Sequence, residues 1–253
     1  FGYPYKKYFD IEADGLLDDV SKIHCISISE DGAEPTCYFG TDGIKTAIRW
    51  LSYADKLIGH NIIGYDLPVL EKILGFVPTR GTVIRDTLLL SRLAWPDIMK
   101  TDADSEKIPK KYYGRYSLRS FGHRLGTHKK EVEDFREWSE DLIGYCNQDV
   151  LLTNLLYQKI LGKKLSADSV KMETHFAQLS QIMNSIGIGF DTAKALKLSQ
   201  DVTDRRDILL DDISKLVPPT IEQMKTVEYW VCPDTSTRYL RKSDASPSVQ
   251  KDL

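Results

Sequence analysis

Near its start the chain reads Tyr8-Phe9-Asp10-Ile11-Glu12-Ala13, and this interleaving of apolar and acidic side chains constrains the fold more than any other stretch. Successive side chains of a β-strand point to opposite faces. Phe9 and Ile11 therefore enter a core while Asp10 and Glu12 project together from the other face. Carboxylates this close raise each other's pKa and repel unless a cation offsets them. Such a strand needs a sheet around it and a chemical reason for its acids.

Strand patterns downstream make the sheet legible. KYFDIEA, KIHCISIS and EPTCYFG alternate apolar and polar residues and predict three successive strands, a meander turning at Asp14–Gly15 and Asp31–Gly32. A helix over about 42–54, a short strand Lys56–His60, a helix Leu67–Leu74, a strand Thr82–Arg85 and a helix Thr87–Ala94 come next. The fold class is α/β, a mixed sheet flanked by helices, with Asp10 and Glu12 on its central strand. Residues 97–116 lack periodicity and predict a long mobile loop. Within it Lys110, Lys111 and Arg115 alternate with Tyr112, Tyr113 and Tyr116, a pattern that suits a single-strand track or equally a solvated loop anchored by tyrosines. Helices are expected over Ser117–Leu125, about 139–161, Ala167–Ile186, and from a cap at Asp191 or Thr192 to about Leu216. These boundaries predict a first domain over 1–165, a helical appendage over 166–217, and a polar, poorly ordered tail over 218–253.

Two further acidic segments complete the pattern: Asp66 in GHNIIGYD and Asp149 in YCNQDV. Leu142, Ile143, Cys146, Val150 and Leu151 recur at helical spacing, and Tyr145 and Asp149 flank that stripe as an i, i+4 pair about 6 Å apart at Cβ. Oxygen-only donors favour hard ions such as Mg²⁺ or Mn²⁺. Each segment alone is a weak signal. A DxE among 37 acidic residues is ordinarily a solvated strand end, and Tyr145 with Asp149 could simply pack a helix face. Asp10-x-Glu12-x-Asp14-Gly15 half-mimics a calcium loop, but its twelfth position is Ser21 and its flanks read as strands. The joint, ordered occurrence of all three segments points to a two-metal nuclease site.

The segments resemble the Exo I (DxE), Exo II (N-x-x-x-[FY]-D) and Exo III (Y-x-x-x-D) motifs of the DEDDy 3′→5′ exonucleases, met here by Asp10 and Glu12, by Asn61, Tyr65 and Asp66, and by Tyr145 and Asp149. The DEDDh branch has His five positions before the last Asp, where this chain has Gly144. DIEADGLLDDVSKIHC, RDTLLLSRL, SLRSFGHRLG and SIGIGFDT extend the likeness over roughly residues 8–216, to the proofreading domain of family A, polymerase-I-like replicative DNA polymerases of short-tailed bacteriophages.

The resemblance implies a ribonuclease-H-like fold and a two-metal hydrolysis of the terminal phosphodiester that releases nucleoside 5′-monophosphates. It implies that Asp10 bridges two Mg²⁺ ions roughly 4 Å apart, Mn²⁺ being able to substitute, that Glu12 and Asp149 complete one site, and that Asp66 holds the other through water. Tyr145, a poor base at its ordinary pKa of about 10, would orient the attacking water. Asn61, Leu16 and Leu17 would lie against the terminal nucleotide, Leu16 and Leu17 being equally suited to core packing. His60, after the apolar Leu57–Ile58, reads as a satisfied buried ring, and Asp86 as a helix N-cap rather than a catalytic group.

The implied partners are a single-stranded DNA 3′ end and a polymerase portion. Palm and fingers motifs are absent, so no primer extension is expected from these residues alone. The first residue is Phe and the chain stops in what resembles a polymerase insertion, so the sequence is expected to be a fragment of a polymerase, with a stand-alone exonuclease as the alternative. A ribonuclease-D-like RNA exonuclease and a catalytically silent nucleic-acid-binding module are the alternatives.

Composition sets outer bounds. Hydrophobic content of 42% and charged content of 28% suit a globular protein, and no apolar run approaches the ~20 residues of a membrane span. A cytoplasmic setting in an infected bacterial host is expected. Cys25, Cys37, Cys146 and Cys232 show no zinc spacing and are expected as free thiols. The net charge of −3 argues against a general nucleic-acid binder but leaves room for a local basic groove.

Overall fold

The computed structural model describes residues 5–105, 108–127, 136–217, 221–224, 227–232 and 237–239. Two compact units divide the chain, Phe1–Gly187 and Ile188–Leu253.

In the first unit β1 (Lys6–Ala13), β2 (Ile23–Glu30) and β3 (Thr36–Phe39) form an antiparallel meander, and β4 (Lys56–Gly59) and β5 (Val83–Asp86) add in parallel beyond β1. The order β3-β2-β1-β4-β5 makes β1 the central strand, as expected for a ribonuclease-H-like sheet. After β2 the chain reverses at Asp31 and Gly32, both at positive φ, with the Ala33 N–H donating to the Glu30 carbonyl at 2.9 Å. That is the turn which Asp-Gly favours. The first reversal differs from expectation. It is a longer loop over Asp14–Lys22, closed by the Asp14 carboxylate accepting the Ser21 and Lys22 N–H groups at 2.9 and 3.0 Å.

Helices cover both faces of the sheet. Phe9, Ile11, Ile26 and Ile28 pack with Ala47 and Leu51 of α1 (Gly40–Ser52) and Val69 and Leu70 of α2 (Asp66–Leu74). On the other face Tyr8 and Ile58 meet Val150, Leu156 and Tyr157 of α6 (Glu140–Leu161). The side of β1 that carries the acids is thus roofed by a helix instead of facing solvent, and β1 and β2 are buried almost throughout.

After α3 (Thr87–Ala94) the structure departs from the expected long loop: α4 (Ile98–Ser105) and a 3₁₀ turn at Lys110–Tyr112 occupy much of 97–116. Ile98 and Asp102, four residues apart, both turn inward. The Asp102 carboxylate accepts two hydrogen bonds from Arg124 of α5 (Leu118–Leu125), at 2.9 and 2.7 Å, and one from the Gly114 N–H at 3.0 Å. A polar residue that finds a buried partner far along the chain leaves no periodic signal. α7 (Ala167–Ile186) packs on α3 and β5 within this unit, with Val170 buried beside α6.

The second unit contains α8 (Thr192–Leu216), capped by the Asp191 side chain accepting the Lys194 N–H, and an antiparallel sheet of β6 (Ile221–Met224), β7 (Val227–Val231) and β8 (Arg238–Tyr239). The strands occupy part of the tail expected to be poorly ordered; 218–220, 225–226, 233–236 and 240–253 lie outside the described residues. Among the described residues no helix is long and apolar enough to cross a membrane. All four cysteines are free.

Gly59 ends β4 where the sheet opens. A Cβ there would sit 2.1 Å from Ile62 Cγ2 and 2.9 Å from the Phe9 carbonyl oxygen, and the latter is backbone that cannot swing aside. Gly59→Ala is expected to lower stability by about 1–3 kcal/mol. Denaturant unfolding measures it, and an unchanged midpoint would contradict the close approach of β4 to β1.

Candidate active site

The site forms where two parallel strands diverge. β4 pairs with β1 only through Lys6, Lys7 and Tyr8, which leaves the N–H of Ile11 without a strand partner on that side. Asp66, the first residue of α2, supplies one: its Oδ1 accepts the Ile11 N–H at 3.2 Å. The Asp66 carboxylate is thereby fastened between Asp10 and Glu12. From the roof, Cys146 of α6 lies 3.4 Å from the Asp10 carbonyl oxygen and 3.7 Å from Asp10 Oδ2, and its Sγ donates to both. Asn147 accepts from Ser27 Oγ at 2.6 Å, fixing α6 over β2. Tyr145 is half-buried and Asp149 buried on that helix.

Electrostatics show how closely the acids gather. Asp66 is 3% exposed, and its pKa is pushed up to about 8 by burial first and by the charges of Asp86 and Asp149; the backbone donors oppose this. No described ion pair involves Asp66. Tyr65 is pushed up to about 12 by burial and by Asp66, Glu12, Asp14 and Asp10. Acids from β1, α2 and α6 thus act on one another within one region.

This donor set fits a divalent cation. Ligand atoms of Asp10, Glu12 and Cys146 all lie within 4.8 Å of one another. Burial, the two neighbouring thiols and Asp10 hold the Cys146 pKa well above its ordinary value. It stays a thiol that donates to Asp10, which leaves the carboxylates as ligands for a hard ion.

Around this centre the remaining residues take distinct positions. Asn61 is exposed, with φ 64°, and its N–H donates to Asp86 Oδ1 at 2.8 Å. Asp86 also accepts from Ile63 and, as the N-cap of α3, from Leu88, at 3.1 and 2.9 Å. The cap reading captures one of these three bonds. The others make Asp86 the brace of the loop leading to Asp66, a role with no sequence signal beyond a polar residue before a helix. The His60 ring is half-buried rather than buried, and its Nδ1 hydrogen-bonds Thr87 Oγ1 at 2.9 Å. Leu16 is exposed and Leu17 packs against the core, while the Tyr65 hydroxyl donates to the Gly15 carbonyl at 2.6 Å and holds their loop near Asp66. Lys110, Lys111 and Arg115 are exposed, and none of the described contacts joins them to the carboxylates. Their tyrosine neighbours act as anchors: Tyr112 stacks on His123 at 4.5 Å and the Tyr116 hydroxyl donates to the Trp95 carbonyl at 2.6 Å.

The mixed five-stranded sheet with flanking helices is ribonuclease-H-like in fold. No family model matches the chain. It is homologous to the DNA-directed DNA polymerase of Escherichia phage T7, 28% identical over 260 residues, and to that of Enterobacteria phage T3, 29% identical over 261 residues. Each match covers 81% of this chain but only 36% of the relative, so the chain spans about a third of the length of these polymerases. Among solved structures Brucella melitensis NrnC superposes with a TM-score of 0.50 at 18% identity, covering 72% of this chain and 86% of NrnC. That likeness is one of fold.

Proposed function

We propose that this chain is a divalent-metal-dependent 3′→5′ exonuclease acting on single-stranded or frayed DNA, the proofreading part of a phage-type DNA polymerase. The observation that carries the reading is the Asp66 carboxylate bonded to the backbone between Asp10 and Glu12, 55 residues away along the chain. Homology to the two phage polymerases supports the DNA substrate and the polymerase origin, and solved NrnC structures with bound Mg²⁺ and with pGG support a metal and a nucleic-acid partner.

In this reading Asp10, Glu12, Asp66 and Asp149 hold two Mg²⁺ ions. When bound, such ions acidify water and offset the charge that builds on the phosphate during in-line hydrolysis. The chain's own groups do the positioning. Cys146 hydrogen-bonds Asp10 and sets its orientation. Tyr145, one turn before Asp149, orients the attacking water, and Asp86 presents Asn61 and its loop to the terminal nucleotide.

The direct test is digestion of 5′-labelled single-stranded DNA and RNA of one sequence in Mg²⁺. A ladder shortening from the 3′ end, release of nucleoside 5′-monophosphates and faster attack on DNA are expected. Internal cuts would refute the exonuclease, and a clear preference for RNA would refute the substrate.

A further inference from the structure

Lys6 of β1 and Lys56 of β4 are register partners, so two cations stand directly opposite one another across the sheet. Like charges in that position destabilise a strand pair. Arg85 of β5 adds a third cation on the same side, and burial, with the charges of Arg85 and Lys6, pushes the Lys56 pKa down. Lys6 reaches Asp31 only at 3.9 Å. Among the described residues no carboxylate pairs with Lys56, Arg85, Lys171 or His175.

Arg85 is preorganised. Its Nη1 donates to the Ile84 carbonyl at 2.9 Å and its guanidinium also bonds the Tyr157 side chain of α6, which leaves further donors of the five it carries. Beside it a cavity of about 340 Å³ between β5 and α7 is lined by Thr82, Arg85, Lys171, Thr174, His175 and Gln178. No carboxylate among the described residues borders it. Cations, hydroxyls and an amide without an acid form a surface for phosphate oxygens, in a chain whose net charge is −3. Tyr157 lies eight residues beyond Asp149, about 12 Å along α6, so one strand of several nucleotides can reach both places.

We propose that this groove, with Lys6 and Lys56 beside it, holds the phosphodiester backbone of the strand whose 3′ end lies at the carboxylates. The inference rests on the exonuclease reading and adds a second contact region on the same substrate. Phosphate contacts of this kind give affinity without reading sequence, and they weaken steeply with salt.

The test is the charge reversal Lys56→Glu with Lys171→Glu, and Lys171→Glu alone on its exposed helix position should the pair disturb folding. Binding of 5′-fluorescent oligothymidylates of about 16 and about 4 nucleotides is followed by anisotropy across a salt series in EDTA. For the long strand we expect about tenfold weaker binding and a log–log salt slope shallower by about 0.7 for each phosphate no longer neutralised, with the short strand unaffected. Unchanged affinity and slope on the long strand, or equal losses on both lengths, would overturn the groove. Failure of the wild-type chain to shorten any strand in Mg²⁺ would instead overturn the exonuclease reading, because the binding comparison requires no hydrolysis.

Discussion

Asp10→Ala is expected to slow hydrolysis in Mg²⁺ by about 1,000-fold or more while leaving the fold in place. Asp10 stands where the three motifs meet: Asp66 is bonded to the next residue's N–H, Cys146 donates to its carboxylate, and Glu12 shares its face of β1. Stabilisation of transition-state charge by a bound cation amounts to several kcal/mol, and each factor of ten in rate is about 1.4 kcal/mol. The fold survives because Asp10 is half-buried among other acids, so its removal relieves repulsion and opens no apolar cavity. Initial rates on labelled single-stranded DNA, with circular dichroism as the control, measure both parts. A variant that digests DNA at the wild-type rate would remove Asp10 from the chemistry.

Stability of the metal-free protein should fall as pH rises, opposite to the behaviour of an acid held by a salt bridge. The Asp66 pKa is raised from the ordinary 3.8 to about 8 in the folded protein, chiefly by burial. The folded state therefore keeps its proton where the unfolded chain has lost it. The associated stability is fully present below the unfolded pKa and is lost as pH climbs towards the folded value, at up to about 1.4 kcal/mol per pH unit. Above the folded value the loss is complete. A divalent cation reverses this, since it favours the ionised carboxylates. In EDTA the thermal midpoint is expected to be lower at about pH 8 than at about pH 5, and Mn²⁺ should raise it most at the higher pH. A flat profile in EDTA, or stabilisation by Mn²⁺ that ignores pH, would exclude Asp66 as a buried acid awaiting a cation.

Most elements are legible in the sequence because their signals are local. Phe9 and Ile11 alternate with Asp10 and Glu12, Asp31-Gly32 marks its turn, and Thr87–Ala94 and Ala167–Ile186 appear with the bounds that periodicity and caps predict. The helix hidden within 97–116 has a clear origin. α4 is held by Asp102 bonding Arg124, a pair separated by 22 residues, and hydrophobic periodicity carries no information about such a partner. Asp86 is only half legible for the same reason, since its bonds to Asn61 and Ile63 join segments distant in sequence.

What the sequence determined by itself was the inventory: which residues carry oxygen donors, on which element each sits, and the mixed sheet that orders them. Tertiary structure alone decided that the acidic face of β1 lies under α6, that Asp66 caps the strand where β4 turns away, and that Lys6, Lys56 and Arg85 gather on one side of the sheet. The division arises from range. Strand alternation, helical spacing and capping act over a few residues, whereas burial and Coulomb interactions act between groups that only the folded chain brings within a few ångströms of one another.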